Sequence, residues 1–347
     1  MPLKFRIFAL FLAVFVLLTS ISIYSIPRLS LEHATPCVTC HISPNGGEMR
    51  NEFGNFAVSY SELTLQSTKK LLEPYRLKPR ISDNLTYGVD YRMLYLEQGR
   101  FFRMQTDLYL NVELLKNISY NLTLGQTDVK DSYLLLKFKD EHYWFKAGRF
   151  YPAFGLREPD HNAYVRTVPL LGPELNVDGV SLGGNFFDGS NITFEYYAPD
   201  GQSVATLHSF RAGAIGPVGF LTGLSWRQSE AINGSYRGFP IAKSVFGGLS
   251  YDRFTVMGEV GAVGKGNEQR TLYAQLASRI IYGLYFLTEY NFHDPDWSTK
   301  SGTNEYWRFS FEFFPIPFVE LRPAMTYIGD GLRKDQVDFF VQLHISY

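Results

Sequence analysis

The stretch Val337-Asp338-Phe339-Phe340-Val341-Gln342-Leu343-His344-Ile345-Ser346-Tyr347 decides the fold. In an extended chain, Val337, Phe339, Val341, Leu343, Ile345 and Tyr347 fall on one face. Asp338, Gln342, His344 and Ser346 fall on the other, with Phe340 as the exception. Side chains alternate across a strand with period two, so this segment carries one apolar and one polar face. The same alternation runs through Asp107–Leu114, Ile118–Leu124 and Phe309–Phe313. It begins near Ile81 and continues to the end with no break into compact domains. About 16 strands are expected, the first over 82–97 and the last over 335–347.

A soluble β-sandwich also alternates. Three features favour a closed barrel in lipid. The strands run on for most of the chain. Aromatic residues are dense, at 16% with 23 Tyr, 29 Phe and 4 Trp. Several sit at expected strand ends (Tyr87, Tyr91, Tyr95, Tyr282, Tyr285 and Tyr290), where interfacial girdles lie. The chain also ends in a strand with an aromatic last residue, Tyr347. The expected fold class is therefore all-β, a transmembrane antiparallel β-barrel of about 16 strands over residues 81–347, apolar toward lipid and polar toward the lumen. An even strand count suits such barrels, and one this wide has a lumen to fill.

The first 25 residues read differently. Lys4 and Arg6 precede an apolar run from Ile7 to Leu18, and Thr19, Ser20, Ser22 and Ser25 follow. A basic start, an apolar middle and small residues after it make a signal peptide, expected over 1–25. The run is short for a helical span of about 20 residues. The formal net charge of −1 leaves no basic face for nucleic acid.

Between signal and barrel lies Cys37-Val38-Thr39-Cys40-His41, the C-x-x-C-H spacing of c-type haem attachment. Two thiols at this spacing reach the two vinyl groups of one porphyrin, and the next residue offers an imidazole to iron. A zinc site wants four ligands, and no second cysteine pair exists. A redox C-x-x-C wants a thioredoxin-like βαβ context, and none follows. One covalent haem c is expected, with Cys37 and Cys40 as thioether sites and His41 as proximal ligand. Met49 and His33 are candidates for the distal position, and an open site is a third option. Met93, Met104 and Met257 become candidates only where the haem sits within the downstream domain.

Pro44-Asn45-Gly46-Gly47 reads as a turn, with helical stretches expected over 48–60 and 63–72. Residues 26–80 thus form a small, partly helical haem segment with a basic linker. So short a segment buries little surface by itself. It is expected to borrow a wall from the barrel, plugging or abutting the lumen. One connection, 152–176, is long and proline-rich, and loops of this length are usually functional. It carries Arg157, Glu158, Asp160, His161 and Arg166, and is read either as a lumen constriction or as a solvated surface loop. By parity Asp107, Glu113, Arg279, Glu289 and Glu312 face inward, a mixed rather than single-signed lining.

Signal peptide, one C-x-x-C-H and a porin-like barrel together resemble the fused monohaem cytochrome–porins of bacterial outer membranes. The ending in Tyr347 resembles the C-terminal signal of outer-membrane barrels, and Gly148–Arg157 looks like stretches in the porins of porin–cytochrome conduits. The resemblance implies an electron carrier of the outer membrane, or an enzyme of the Fe(II)-oxidising type. It implies contact with membrane lipid, a periplasmic carrier cytochrome, and an extracellular metal or redox acceptor as partners. Two other functions stay open: a diffusion porin with a haem-bearing gate or sensor, and a porin sheath around a separate multihaem cytochrome.

Overall fold

The computed structural model describes residues 27–60, 62–72, 79–139, 142–157, 160, 162–171, 175–186, 189–198, 202–231, 241–266, 268–299, 302–329 and 336–347. The expected signal peptide lies outside them, as do Glu158 and His161. Sixteen strands, from β2 (Leu85–Leu96) to β17 (Gln336–Ser346), each pair antiparallel with the next. A three-residue strand, β1 (Arg80–Ser82), pairs with the start of β2. The cylinder closes where β17 pairs with β2, from Phe340 opposite Leu96 to Ser346 opposite Asp90. Tyr347 finishes the seam by exchanging two 2.8 Å backbone hydrogen bonds with Val89. Closure leaves no free sheet edge, which a strand in hydrocarbon cannot tolerate.

The alternation is literal. In β8 (Ser190–Tyr197), Ile192, Phe194 and Tyr196 are exposed on the outside, while Asn191, Thr193 and Glu195 are buried on the inside. In β12 (Phe254–Val263), Val256 and Val260 point out while Met257 and Glu259 point in. Tight turns such as 116–117, 216–217 and 252–253 join strands at one end, while the other end carries the longest connections, 151–176 among them. This asymmetry is the usual one of short turns against long loops in outer-membrane barrels.

The lumen is not empty. Residues 27–60 and 62–65 lie inside it, as a helix α1 (Pro27–His33), a 3₁₀ turn over Cys37–Thr39 and a wide helical turn over Gly54–Tyr60, and a second helix α2 (Gln66–Leu72) follows at its end. Two apolar patches on the inner wall receive the part inside. Leu31 packs with Phe210, Leu221, Phe246 and Met257. Leu29, Val58 and Leu63 pack with Ala277, Tyr285 and Leu287. The lumen is thus apolar in these sectors rather than polar throughout, because there the wall faces protein instead of water. Tyr285 is a related departure from the expected girdle: it turns inward and lies under the Arg28 guanidinium, 4.7 Å from ring centroid to Cζ. Phe340 breaks the parity of the last strand for a similar reason, facing the Arg308 guanidinium at 5.6 Å.

Polar contacts fix the rest. Arg28 Nη1 donates to Glu312 at 2.7 Å. Thr193 Oγ1 donates to Asn45 Oδ1 at 2.7 Å, and the Tyr133 hydroxyl donates to Glu48 at 2.5 Å. At the exit, Leu65 N–H bonds to the Phe314 carbonyl at 3.2 Å and Thr68 Oγ1 to the Pro315 carbonyl at 2.6 Å.

Close approach of α1 to the wall depends on Gly219 in β10 (Val218–Ala231). A Cβ there would meet the Leu31 carbonyl oxygen at 1.9 Å. Gly219→Ala is expected to loosen the plug by about 1–3 kcal/mol while leaving the strand ladder intact. Protease digestion of residues 27–72 in detergent-solubilised protein checks this. Faster release of that segment from a still heat-stable barrel is the expected outcome.

Candidate functional site

The site is built on one turn of chain. Cys40 N–H and His41 N–H both donate to the Cys37 carbonyl, at 3.2 and 3.1 Å, so the two thiols and the imidazole emerge from a single 3₁₀ turn. The Pro44–Gly47 turn folds back over it. Gly46 takes φ +74° and lies against Cys37, where a Cβ would meet the Cys37 Cβ at 2.8 Å; Gly47 takes φ +68°. Only glycine adopts such backbone without strain. A single antiparallel bridge then pairs His41 with Arg50, and Ile42 N–H bonds to the Met49 carbonyl at 3.1 Å. Asn51 holds the next corner, its Nδ2 donating to the Thr39 carbonyl at 2.9 Å and its Oδ1 accepting Gly54 N–H at 2.8 Å.

The two thiols sit in different apolar surroundings. Cys40 is 1% exposed among Leu29, Val58 and Leu63. Cys37 packs against the cluster that holds Leu31 and Met257. Burial pushes the Cys37 thiol up to about 11. Burial, then the nearby charges of Arg50 and Arg157, pushes His41 down to about 3. The imidazole is therefore neutral near pH 7, and its buried Nδ1 makes no well-aligned hydrogen bond, with the Gly47 and Glu48 backbone beside the ring. A neutral ring with an unspent nitrogen is the form that ligates a metal.

His41 lies on the wall of an internal cavity of about 1020 Å³. The cavity reaches Glu97, Gln336 and Asp338 at the long-loop end and Glu312, Phe314 and Tyr347 at the short-turn end. Of the three groups His41 lines this space, while the Cys37 and Cys40 thiols are buried in the two apolar clusters beside it.

The other sequence candidates are dispersed. His33 pairs with Glu62 at 2.6 Å. Met49 is buried, and a Cβ built on Gly88 would lie 3.5 Å from its Cγ. Across a bridged pair successive side chains alternate, so Met49 points to the opposite side from His41. Met93 meets the Tyr91 hydroxyl at 3.7 Å. Met104 and Met257 both line the cavity, and Met257 alone of these two shares a cluster with Cys37. Among the inward charges, Asp107, Glu289 and Glu312 do face the lumen. Glu113 is exposed at the end of its strand, and Arg279 bonds to the Asp252 carbonyl at 3.4 Å.

The long connection crosses the lumen as a constriction. Its backbone N–H groups bond to inward side chains: Ala153 to Glu195 at 2.8 Å, Gly155 to Ser225 at 2.9 Å and Leu156 to Glu259 at 2.8 Å. Asp160 pairs with Arg308, and Arg166 bonds to the Leu171 carbonyl. Arg157 reaches the turn after the cysteines, donating to the carbonyls of Asn45 and Gly46 at 3.0 and 2.8 Å. Sequence reading noted Arg157 without placing it, and did not single out Arg50; no spacing signal points to either.

No family model matches this chain, and no curated protein does. Solved structures do share its fold. The high-pH structure of Pseudomonas putida OprB superposes with TM-score 0.60 at 10% identity, covering 83% of this chain and 100% of that one. The outer-membrane-expressed OmpT of Vibrio cholerae gives TM-score 0.56 at 10% identity, over 78% of this chain and 100% of that one. An anion-selective porin from Comamonas acidovorans gives 0.52 at 12% identity, over 76% and 98%. The chain has the fold of bacterial outer-membrane porins.

Thiols this enclosed and protonated are expected to resist alkylation in the folded chain by about 100-fold relative to denatured chain. Mass spectrometry after iodoacetamide, with and without denaturant, measures it. Cysteines that stay unmodified even in denaturant are the mark of thioether attachment.

Proposed function

We propose that residues 27–72 are a haem-bearing plug and that the chain is an electron carrier of the bacterial outer membrane. One observation carries this reading: the Cys37–His41 turn lies within the barrel lumen, with His41 on the wall of the cavity. Cys37 and Cys40 would hold the porphyrin covalently and His41 would be its proximal ligand. Such a group supplies a one-electron couple between ferrous and ferric iron. The chain's own residues do the rest. The shared Cys37 carbonyl holds thiols and imidazole in one orientation, burial keeps the imidazole neutral, and the barrel separates the site from lipid. The apolar packing around Cys37 and Cys40 lowers the local dielectric, which disfavours the more highly charged state of a redox centre. A single centre does not bridge an apolar band about 25 Å tall. A periplasmic carrier cytochrome, and an extracellular donor or acceptor such as Fe(II), belong to the reading.

A second reading has its own support. The cavity reaches both ends of the barrel, and the similar structures are porins. On this reading the haem-bearing plug gates solute diffusion. A sheath for a separate multihaem cytochrome is less well served, since the plug and the constriction loop occupy the lumen.

Proteoliposomes separate the readings. With an electron acceptor inside and a donor outside, wild type is expected to reduce the acceptor, and His41→Ala to fall to the rate of protein-free vesicles while still inserted. Rapid solute-driven swelling without electron transfer would favour the gated porin. A colourless protein with both thiols alkylated in denaturant would defeat the haem in either reading.

A further inference from the structure

His41 sits between two guanidinium groups. Arg50 faces it across the antiparallel bridge, and Arg157 reaches the same turn from the constriction loop. Both are half-buried deep in the lumen, and both line the cavity that His41 lines. Their hydrogen bonds go to neutral acceptors. Arg50 donates to Ser59 Oγ at 2.7 Å and to the Ser346 carbonyl. Arg157 donates to the Asn45 and Gly46 carbonyls and lies over the Tyr151 ring at 4.8 Å. Among the described residues neither has a carboxylate within ion-pair distance; Asp90 acts on Arg50, and Arg157 on Asp131 and Glu195, only at longer range.

Four other arginines of the same cavity meet carboxylates directly. Arg28 meets Glu312 and Glu32, Arg92 meets Asp90, Arg308 meets Asp160 and Glu289, and Arg322 meets Glu289 and Glu312. The plug's own nearby acid, Glu48, is engaged by the Tyr133 hydroxyl instead. A cation withdrawn from water is costly unless an anion meets it. Guanidinium groups are the side chains best shaped to receive carboxylates. Gly47 keeps the approach open: it has no side chain, faces the cavity, and a Cβ there would crowd Arg157 Nη2 at 3.0 Å.

We propose that Arg50 and Arg157 form a receptor for paired carboxylates beside His41. On the haem reading given above, from which this part follows, the carboxylates are the two propionate arms of the tethered porphyrin. A free dicarboxylate is the other source of the same chemistry. The constriction loop, through Arg157, then becomes a positioning element of the haem site, and the two cations favour the reduced state of the iron.

The test uses the full chain in detergent. Arg50→Gln and Arg157→Gln are each expected to shift the ferrous–ferric equilibrium about tenfold toward ferric at unchanged haem content. That is a fall of about 59 mV for one electron. Arg157→Lys, which keeps the charge, is expected to restore most of it. The second arm uses haem-free chain made by Cys37→Ala with Cys40→Ala. Succinate is expected to raise its melting temperature, with no rise in haem-loaded wild type or once both arginines are replaced. Unchanged potentials in both glutamine variants overturn the proposal. A wild type that lacks haem but responds to succinate through both arginines keeps the receptor, assigns it to a free anion and defeats the haem reading. Absence of both haem and succinate response overturns both.

Discussion

A peptide backbone in hydrocarbon has no water to bond to, so each N–H and C=O must find its partner within the chain. The rest of this structure depends on that requirement. It forces the strands to close, and the closure runs through the last residue, where Tyr347 and Val89 exchange hydrogen bonds at the seam. Sixteen strands enclose a cylinder too wide for its own side chains to fill. What lies inside is therefore settled by a second set of contacts, between the inner wall and the two segments that enter the lumen.

Those contacts explain why the inner wall is not uniformly polar. Phe246, Leu221 and Met257 would be misplaced in a water-filled channel, yet they are the surface on which Leu31 rests. Ala277, Tyr285 and Leu287 do the same for Leu29, Val58 and Leu63. A segment this short has too little apolar surface to fold around a core of its own. The barrel supplies the missing half of that core. The constriction loop joins the same core through Leu156, Ala163 and Val165, and is held as well by carboxylates and a hydroxyl that accept its backbone N–H groups.

Charge in the lumen follows the same economy of partners. Carboxylates such as Glu289 and Glu312 are met by arginines from neighbouring strands or from the plug. A charge is tolerated away from bulk water when its partner is within hydrogen-bond reach. Around the Cys37–His41 turn the pattern changes to positive groups held by carbonyls and hydroxyls. The turn proposed to carry a prosthetic group is thus also the place where, among the described residues, two arginines have no carboxylate within hydrogen-bond reach.

Much of this was legible in the residues themselves. Period-two alternation from Leu85 to Ser346 determined the strands, because lipid outside and a distinct medium inside impose opposite demands on alternate side chains. The spacing of Cys37, Cys40 and His41 determined that the three groups share one turn, because that geometry is local. Other features were not legible. Parity assigns Phe246 or Tyr285 a face but not what that face meets: Tyr285 shares the inward face of Glu289, and the Arg28 guanidinium it meets there lies over 250 positions away. Nothing in the spacing joins Arg50 and Arg157 to His41, since they come from two separate segments that meet only inside the closed barrel. Local periodicity and local turns belong to the sequence alone; the filling of the lumen, and the charges gathered around His41, were decided by tertiary structure, because they rest on contacts between residues that only closure brings together.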